Sequence, residues 1–177
     1  GSRPCIFTYI MNFDLLKRLS ETPGVSGREE RVRELLESEA KGLFDEIRVD
    51  PMGSLIATRK ADVPNAQRVV IACHMDEIGF YVKHVDDKGF LRVAAAGGFD
   101  PRNLLARRVL VWTADGDLQG LMNPTGRPVH IAKDEEKKKI PEIGEFFIDL
   151  CLPADEVKAR VRIGDPVTLV QECTRIG

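Results

Sequence analysis

Apolar and polar residues alternate in two rhythms along this chain. In "NFDLLKRLSE" the apolar positions Phe13, Leu15, Leu16 and Leu19 fall on one helical stripe that stops before Pro23-Gly24. "SGREERVRELLESEA" predicts a second helix: Ser26 and Glu29 have the spacing of a capping box, and Val32, Leu35, Leu36 and Ala40 form its buried stripe. "EIRVD", "PMG" and "SLIATR" then read as a hairpin, because Pro51 and Gly53 punctuate two short β-prone runs. "RVVIAC" is apolar at every position but its first, which predicts a central strand covered on both faces. Helices, hairpin and buried strand together predict the start of an α/β layer structure.

Beyond residue 77 the rhythm shortens. "IGFYVKHVDDKGFLRVAAAGG", "RRVLVWT" and "LQGLM" are short alternating runs joined by the turns "DDKG" and "ADGD", which predicts an all-β barrel or sandwich module. "KDEEKKK" reads as a solvated helical turn. "PADEVKARV" opens on Pro153 with acids in its first turn and predicts a short helix, after which "GDPVTLVQE" returns to strand, with Asp165 as a turn residue.

Charge and cysteine usage narrow the function classes. The 26 basic and 28 acidic side chains nearly cancel to a formal charge of -2, so no global field favours nucleic acid or an anionic membrane. No apolar run reaches the roughly 18 residues needed to cross a bilayer. Cys5, Cys73, Cys151 and Cys173 lack CxxC spacing, and Cys73 and Cys151 lie in apolar runs as small hydrophobes. The reading is a reducing, cytoplasmic protein. Residues 1–10 are expected to be upstream or tag-derived residues before a start at Met11.

The candidate chemistry sits in "VVIACHMDEIG". In a strand, residues i and i+2 share a face, so His74 and Asp76 point one way and Glu77 the other, at the carboxyl edge where open α/β sheets hold ligands. An imidazole there can ligate a metal while the carboxylate orients it. The same triplet also suits a hydrogen-bonded core histidine ending a buried strand. His84, in an alternating segment, and His130, after "GRP", carry weaker signals.

Five ordered blocks are more specific than the triplet: "LLKRLSETPGVSGREERVRELL", "DPMGSLIATR", "VVIACHMDEIGFYVKHVDDKGFLRV", "GGFDPRNLLARRV" and "RIGDPV". At this spacing they resemble the glutamyl and deblocking aminopeptidases, two-metal exopeptidases often built into tetrahedral dodecamers and sometimes labelled endoglucanases. The resemblance implies an α/β catalytic domain over residues 11–76, interrupted by a β-rich dimerisation domain over 77–162, with 163–177 returning as a strand toward the catalytic part. It implies two divalent metal ions, zinc or cobalt, with His74 as a metal ligand and Asp76 as the catalytic acid supporting the site. It also implies peptide substrates and a homodimer or larger homo-oligomer.

In such enzymes the bridging aspartate, the paired glutamates, a further acid and a last histidine all follow the insert, whereas this sequence stops at "TRIG". The expectation is therefore a first half, lacking most ligands and the general base and inactive alone. The alternative is a non-catalytic oligomerisation module made of the β domain. A glycosidase, which needs two carboxylates facing one bond, is disfavoured because Asp76 and Glu77 would face opposite ways in a strand.

Overall fold

A computed structural model describes residues 12–127, 130–134 and 138–176. The helices used below, all within the described residues, are α1 (Phe13–Glu21), α2 (Glu30–Ala40) and α3 (Ala154–Arg160). Among the described residues the strands are β1 (Glu46–Val49), β2 (Leu55–Thr58), β3 (Gly79–Val85), β4 (Leu91–Ala96), β5 (Arg107–Thr113), β6 (Gly116–Pro124), β7 (Phe146–Asp149) and β8 (Pro166–Leu169). β1 and β2 form the expected antiparallel hairpin, and the other six close into a barrel in the order β3-β4-β7-β6-β5-β8.

The barrel follows from period-two patterning. Phe80, Val82, Leu91, Val93, Val109, Val111, Met122, Phe146, Ile148 and Val167 point inward and are buried, while Lys83, Arg92 and Arg108 take alternate positions and stay at least partly exposed. Each large apolar side chain fully buried there contributes about 1.5–3 kcal/mol. Val157 of α3 and the nearby Val161 belong to the same core. α3 carries Asp155 and Glu156 in its first turn and Lys158 and Arg160 in its last, which matches its dipole.

The turns are built as their residues predict. The Asp86 side chain accepts from the backbone N–H of Lys88 and Phe90, both at 2.9 Å, and Gly89 takes a φ of +86° between β3 and β4. Asp165 likewise accepts from the Arg162 N–H at 2.8 Å in the turn before β8. β8 lies in the stretch read as a return strand, and it pairs with β3 and β5 to complete the barrel.

The N-terminal elements depart from expectation in three places. Residues 69–73 form no strand: Val69, Val70 and Ile71 are 82%, 87% and 88% exposed in an irregular segment between β2 and β3. A parallel strand needs neighbours on its edges, and no described strand stands beside this one. The Ser26–Glu29 capping box does not form either. α2 starts only at Glu30, Glu29 accepts from the Gly27 N–H at 2.5 Å, and the Ser26 carbonyl accepts from the Tyr81 hydroxyl at 2.6 Å. Of the α2 stripe only Val32 is buried, with Leu35, Leu36 and Ala40 half-buried.

Cys73 and Cys151 are exposed rather than packed as small hydrophobes. Cys73 shares the unpaired segment, and Cys151 sits just past β7 with a left-handed φ of +55°. Residues 1–11, which include Cys5, and residues 135–137 of the charge run lie outside the described residues.

Candidate functional site

Val25 anchors the N-terminal segment to the barrel. It is fully buried, a Cβ on Gly79 would collide with it, and it bridges in parallel to Glu77, whose N–H donates to the Gly24 carbonyl at 2.7 Å. The residue after Asp76 is thereby tied down at the entry to β3, although the preceding segment is unpaired.

His74 and Asp76 are brought together, but not as neighbours on one face of a strand. The segment curls so that Nδ1 of His74 lies 3.0 Å from Asp76 Oδ1 and 2.9 Å from the Asp76 carbonyl oxygen. Both partners are acceptors, which puts the imidazole proton on Nδ1 and leaves the Nε2 lone pair unused. The His74 side chain is 85% exposed and Asp76 33%. A ring held through Nδ1 by a carboxylate, with Nε2 facing outward, is the arrangement of a supported metal ligand.

That pair fits one ligand position and no more. Among the described residues no group of three or more His, Cys, Asp or Glu side chains is gathered to hold a metal, whereas a zinc site takes at least three protein ligands. His84 is exposed on β3 and His130 lies in an exposed turn, and neither joins His74.

Beside this segment lies a cavity of about 430 Å³. Its walls are the end of α1, Glu77 and Ile78, Arg107 and Leu110 of β5, Gln119 of β6, and residues 168–172. Burial pushes the Glu77 carboxyl above its ordinary range, opposed in part by the Gly24 backbone. Across the cavity Arg107 donates from Nη2 to Gln171 Oε1 at 2.7 Å, while its Nε is buried without a partner. Lys17 pairs with Glu21 at 2.7 Å and donates to the Cys173 carbonyl at 3.2 Å, and the Cys173 N–H donates to Glu21 at 2.8 Å, so α1 clamps the segment leaving β8.

The motif HMD pointed to His74 and Asp76. Nothing local singled out Glu77 as half-buried, or Arg107 within "ARRV", because their surroundings come from α1 and from residues 168–172, far away in sequence.

Comparison with known proteins agrees with this architecture. Lysyl aminopeptidase of Pyrococcus furiosus is 36% identical over 133 residues, 73% of this chain and 37% of that protein. The TET aminopeptidase from the marine sediment archaeon Thaumarchaeota archaeon SCGC AB-539-E09 superposes with a TM-score of 0.83 at 32% identity, over 93% of this chain and 45% of its own. The TET1 peptidase of Pyrococcus horikoshii, which can assemble into a tetrahedron or a large octahedral shell, gives 0.75 at 31% identity over 88% and 46%. The chain thus spans less than half the length of the curated relatives it matches. Residues 53–177 match the M42 glutamyl aminopeptidase family, and the chain belongs to that family.

Proposed function

We propose that the whole protein is a metal-dependent aminopeptidase that releases N-terminal residues from peptides. The observation that carries this reading is the His74–Asp76 pair at 3.0 Å, in a chain of an aminopeptidase family. His74 presents Nε2 to a divalent cation, zinc or cobalt, and Asp76 is a positioning residue that fixes the tautomer and ring angle. A cation bound there would polarise a peptide carbonyl and lower the pKa of a bound water. His74 supplies one ligand of the three or more required, so these residues alone do not complete a hydrolytic centre, and the chain by itself is expected to be inactive.

The interleaving of domains belongs to the same proposal: residues 11–76 contribute to the catalytic part, and the barrel is the dimerisation element of a homodimer or larger assembly. The scattered thiols support a cytoplasmic setting.

The test is titration of the metal-stripped chain with zinc and cobalt beside His74→Ala and Asp76→Asn, with hydrolysis of leucine p-nitroanilide read in the same samples. Metal binding that disappears in His74→Ala supports the assignment. Binding or hydrolysis indifferent to His74 overturns it.

A second reading, a non-catalytic oligomerisation module, is favoured by the barrel's closure around its own core while the segment 69–73 lies exposed. A stable metal-free oligomer without peptidase activity would single it out, measured by size-exclusion chromatography with light scattering.

A further inference from the structure

The outer wall of the barrel carries another cleft, at the end of β3 remote from His74. β3 is seven residues long, so about 23 Å of strand separates its start, near the His74 segment, from the turn that follows Val85. Period-two patterning turns Arg92 outward between buried Leu91 and Val93, and Phe147 outward between buried Phe146 and Ile148. The pairing of Leu91 with Ile148 on antiparallel strands sets Arg92 opposite Phe147, and the guanidinium carbon lies 5.8 Å from the ring centroid. Phe90 packs edge-on against Phe147, with ring centroids 5.0 Å apart. These three half-buried side chains, with the turn 86–88 and Thr125, enclose about 440 Å³, the size of a small-molecule pocket.

The polar groups around this cleft are unequally spent. Asp86 accepts from the N–H groups of Lys88 and Phe90, and Asp87 pairs with Lys158 at 3.3 Å. Thr125 gives its hydroxyl proton to the Glu145 carbonyl at 2.9 Å. Arg92 spends one donor on the Phe146 carbonyl at 3.2 Å, and neither Arg92 nor Lys88 makes a salt bridge among the described residues. With Asp87 balanced by Lys158, the two cations face a single carboxylate, Asp86, and one positive charge is in surplus.

We propose that this cleft binds a small monocarboxylate with an aromatic body, the carboxylate on Arg92 and Lys88 and the ring against Phe90 and Phe147. A guanidinium with unspent donors in a planar fork suits a carboxylate. A surplus of one charge suits a monoanion better than a phosphate dianion, and half-buried aromatic rings favour a ring over a methyl group. The assignment uses no residue of the His74 segment, so it stands or falls independently of the aminopeptidase reading.

The experiment is titration of the chain with hydrocinnamate, its neutral amide and propionate, followed by backbone amide NMR shifts at about 0.15 M salt, which screens loose ion pairing. Hydrocinnamate should saturate, with the largest shifts at Lys88, Gly89, Phe90 and Arg92. The amide, which lacks the charge, and propionate, which lacks the ring, should each bind about tenfold or more weakly. Arg92→Gln should erase the preference for acid over amide. Phe147→Leu should shrink the preference for hydrocinnamate over propionate and keep that for acid over amide. Lys158→Gln, which unpairs Asp87 and cancels the surplus charge, should weaken hydrocinnamate binding. Equal affinity for acid and amide, propionate binding as tightly as hydrocinnamate, no saturation at millimolar concentration, or largest shifts outside the cleft would overturn the proposal. The three ligands on the unaltered chain decide the matter even where a variant fails to fold.

Discussion

Arg31 of α2 reaches across to Asp117 at the start of β6 in a two-bond fork, Nη1 to Oδ2 at 2.7 Å and Nη2 to Oδ1 at 2.8 Å. Its guanidinium also lies 4.3 Å from the centroid of the Trp112 ring on β5. This one side chain therefore pins the N-terminal helices to the outer wall of the barrel. The pair is about one-third exposed, so solvent screening holds its worth to about 1 kcal/mol. Arg31→Ala should lower stability by about that amount and speed amide exchange in α2 while leaving barrel amides unchanged. A uniform rise in exchange across the barrel would contradict this role.

Gly79 is where β3 passes under Val25. A Cβ there would collide with Val25 and lie 2.8 Å from the Val167 carbonyl oxygen, and neither neighbour can move freely, one being buried and the other barrel backbone. Gly79→Ala should cost about 1–3 kcal/mol, as overpacking of a filled interior does. A shift of the urea midpoint without a change in slope would confirm it, and a wild-type midpoint would refute the contact.

Acid should weaken the barrel through Glu145. Its carboxylate accepts from the Glu142 N–H at 2.8 Å and from Lys139 at 2.9 Å, contacts that hold its pKa below the ordinary glutamate value. A depressed folded pKa means that the stabilisation is present above the unfolded value of 4.5 and is lost as pH falls through the lower folded value. Glu145→Gln should therefore destabilise at pH 7 and converge on the parent once the pH has fallen through that lower folded value. Thermal unfolding followed from pH 7 down into acid checks the sign.

How far the fold was legible depends on where each element finds its partners. "RRVLVWT" and "LQGLM" announce β5 and β6 because the hairpin register, Thr113 opposite Gly116 onward, is set by the "ADGD" turn between them. α3 was equally readable, since its Pro153 and first-turn acids act locally. The fork between Arg31 and Asp117 spans 86 residues and left no local trace. "HMD" correctly flagged two groups that meet, but for a reason that failed: they meet through a curl in an unpaired segment, not through the pleat of a strand. Ser26 misled because its local capping signal competed with the Tyr81 hydroxyl, which takes the Ser26 carbonyl before α2 begins.

The segment Val69–Ile71 carries the opposite lesson, and the last prediction. Its composition is that of a strand buried on both faces, yet its side chains are more than four-fifths exposed and its backbone pairs with nothing among the described strands. A short, uncharged, β-branched run with free backbone groups is a template for intermolecular pairing. Val70→Asp should raise the concentration at which the chain begins to scatter light and leave barrel stability within about 0.5 kcal/mol, because an exposed side chain removes no core contact. Should the substitution instead unfold the barrel, Val70 would have to be packed rather than exposed. Should it leave association unchanged, self-association would have to run through another surface, and the outer wall at Leu121, 42% exposed on β6, would be the next place to put a charge.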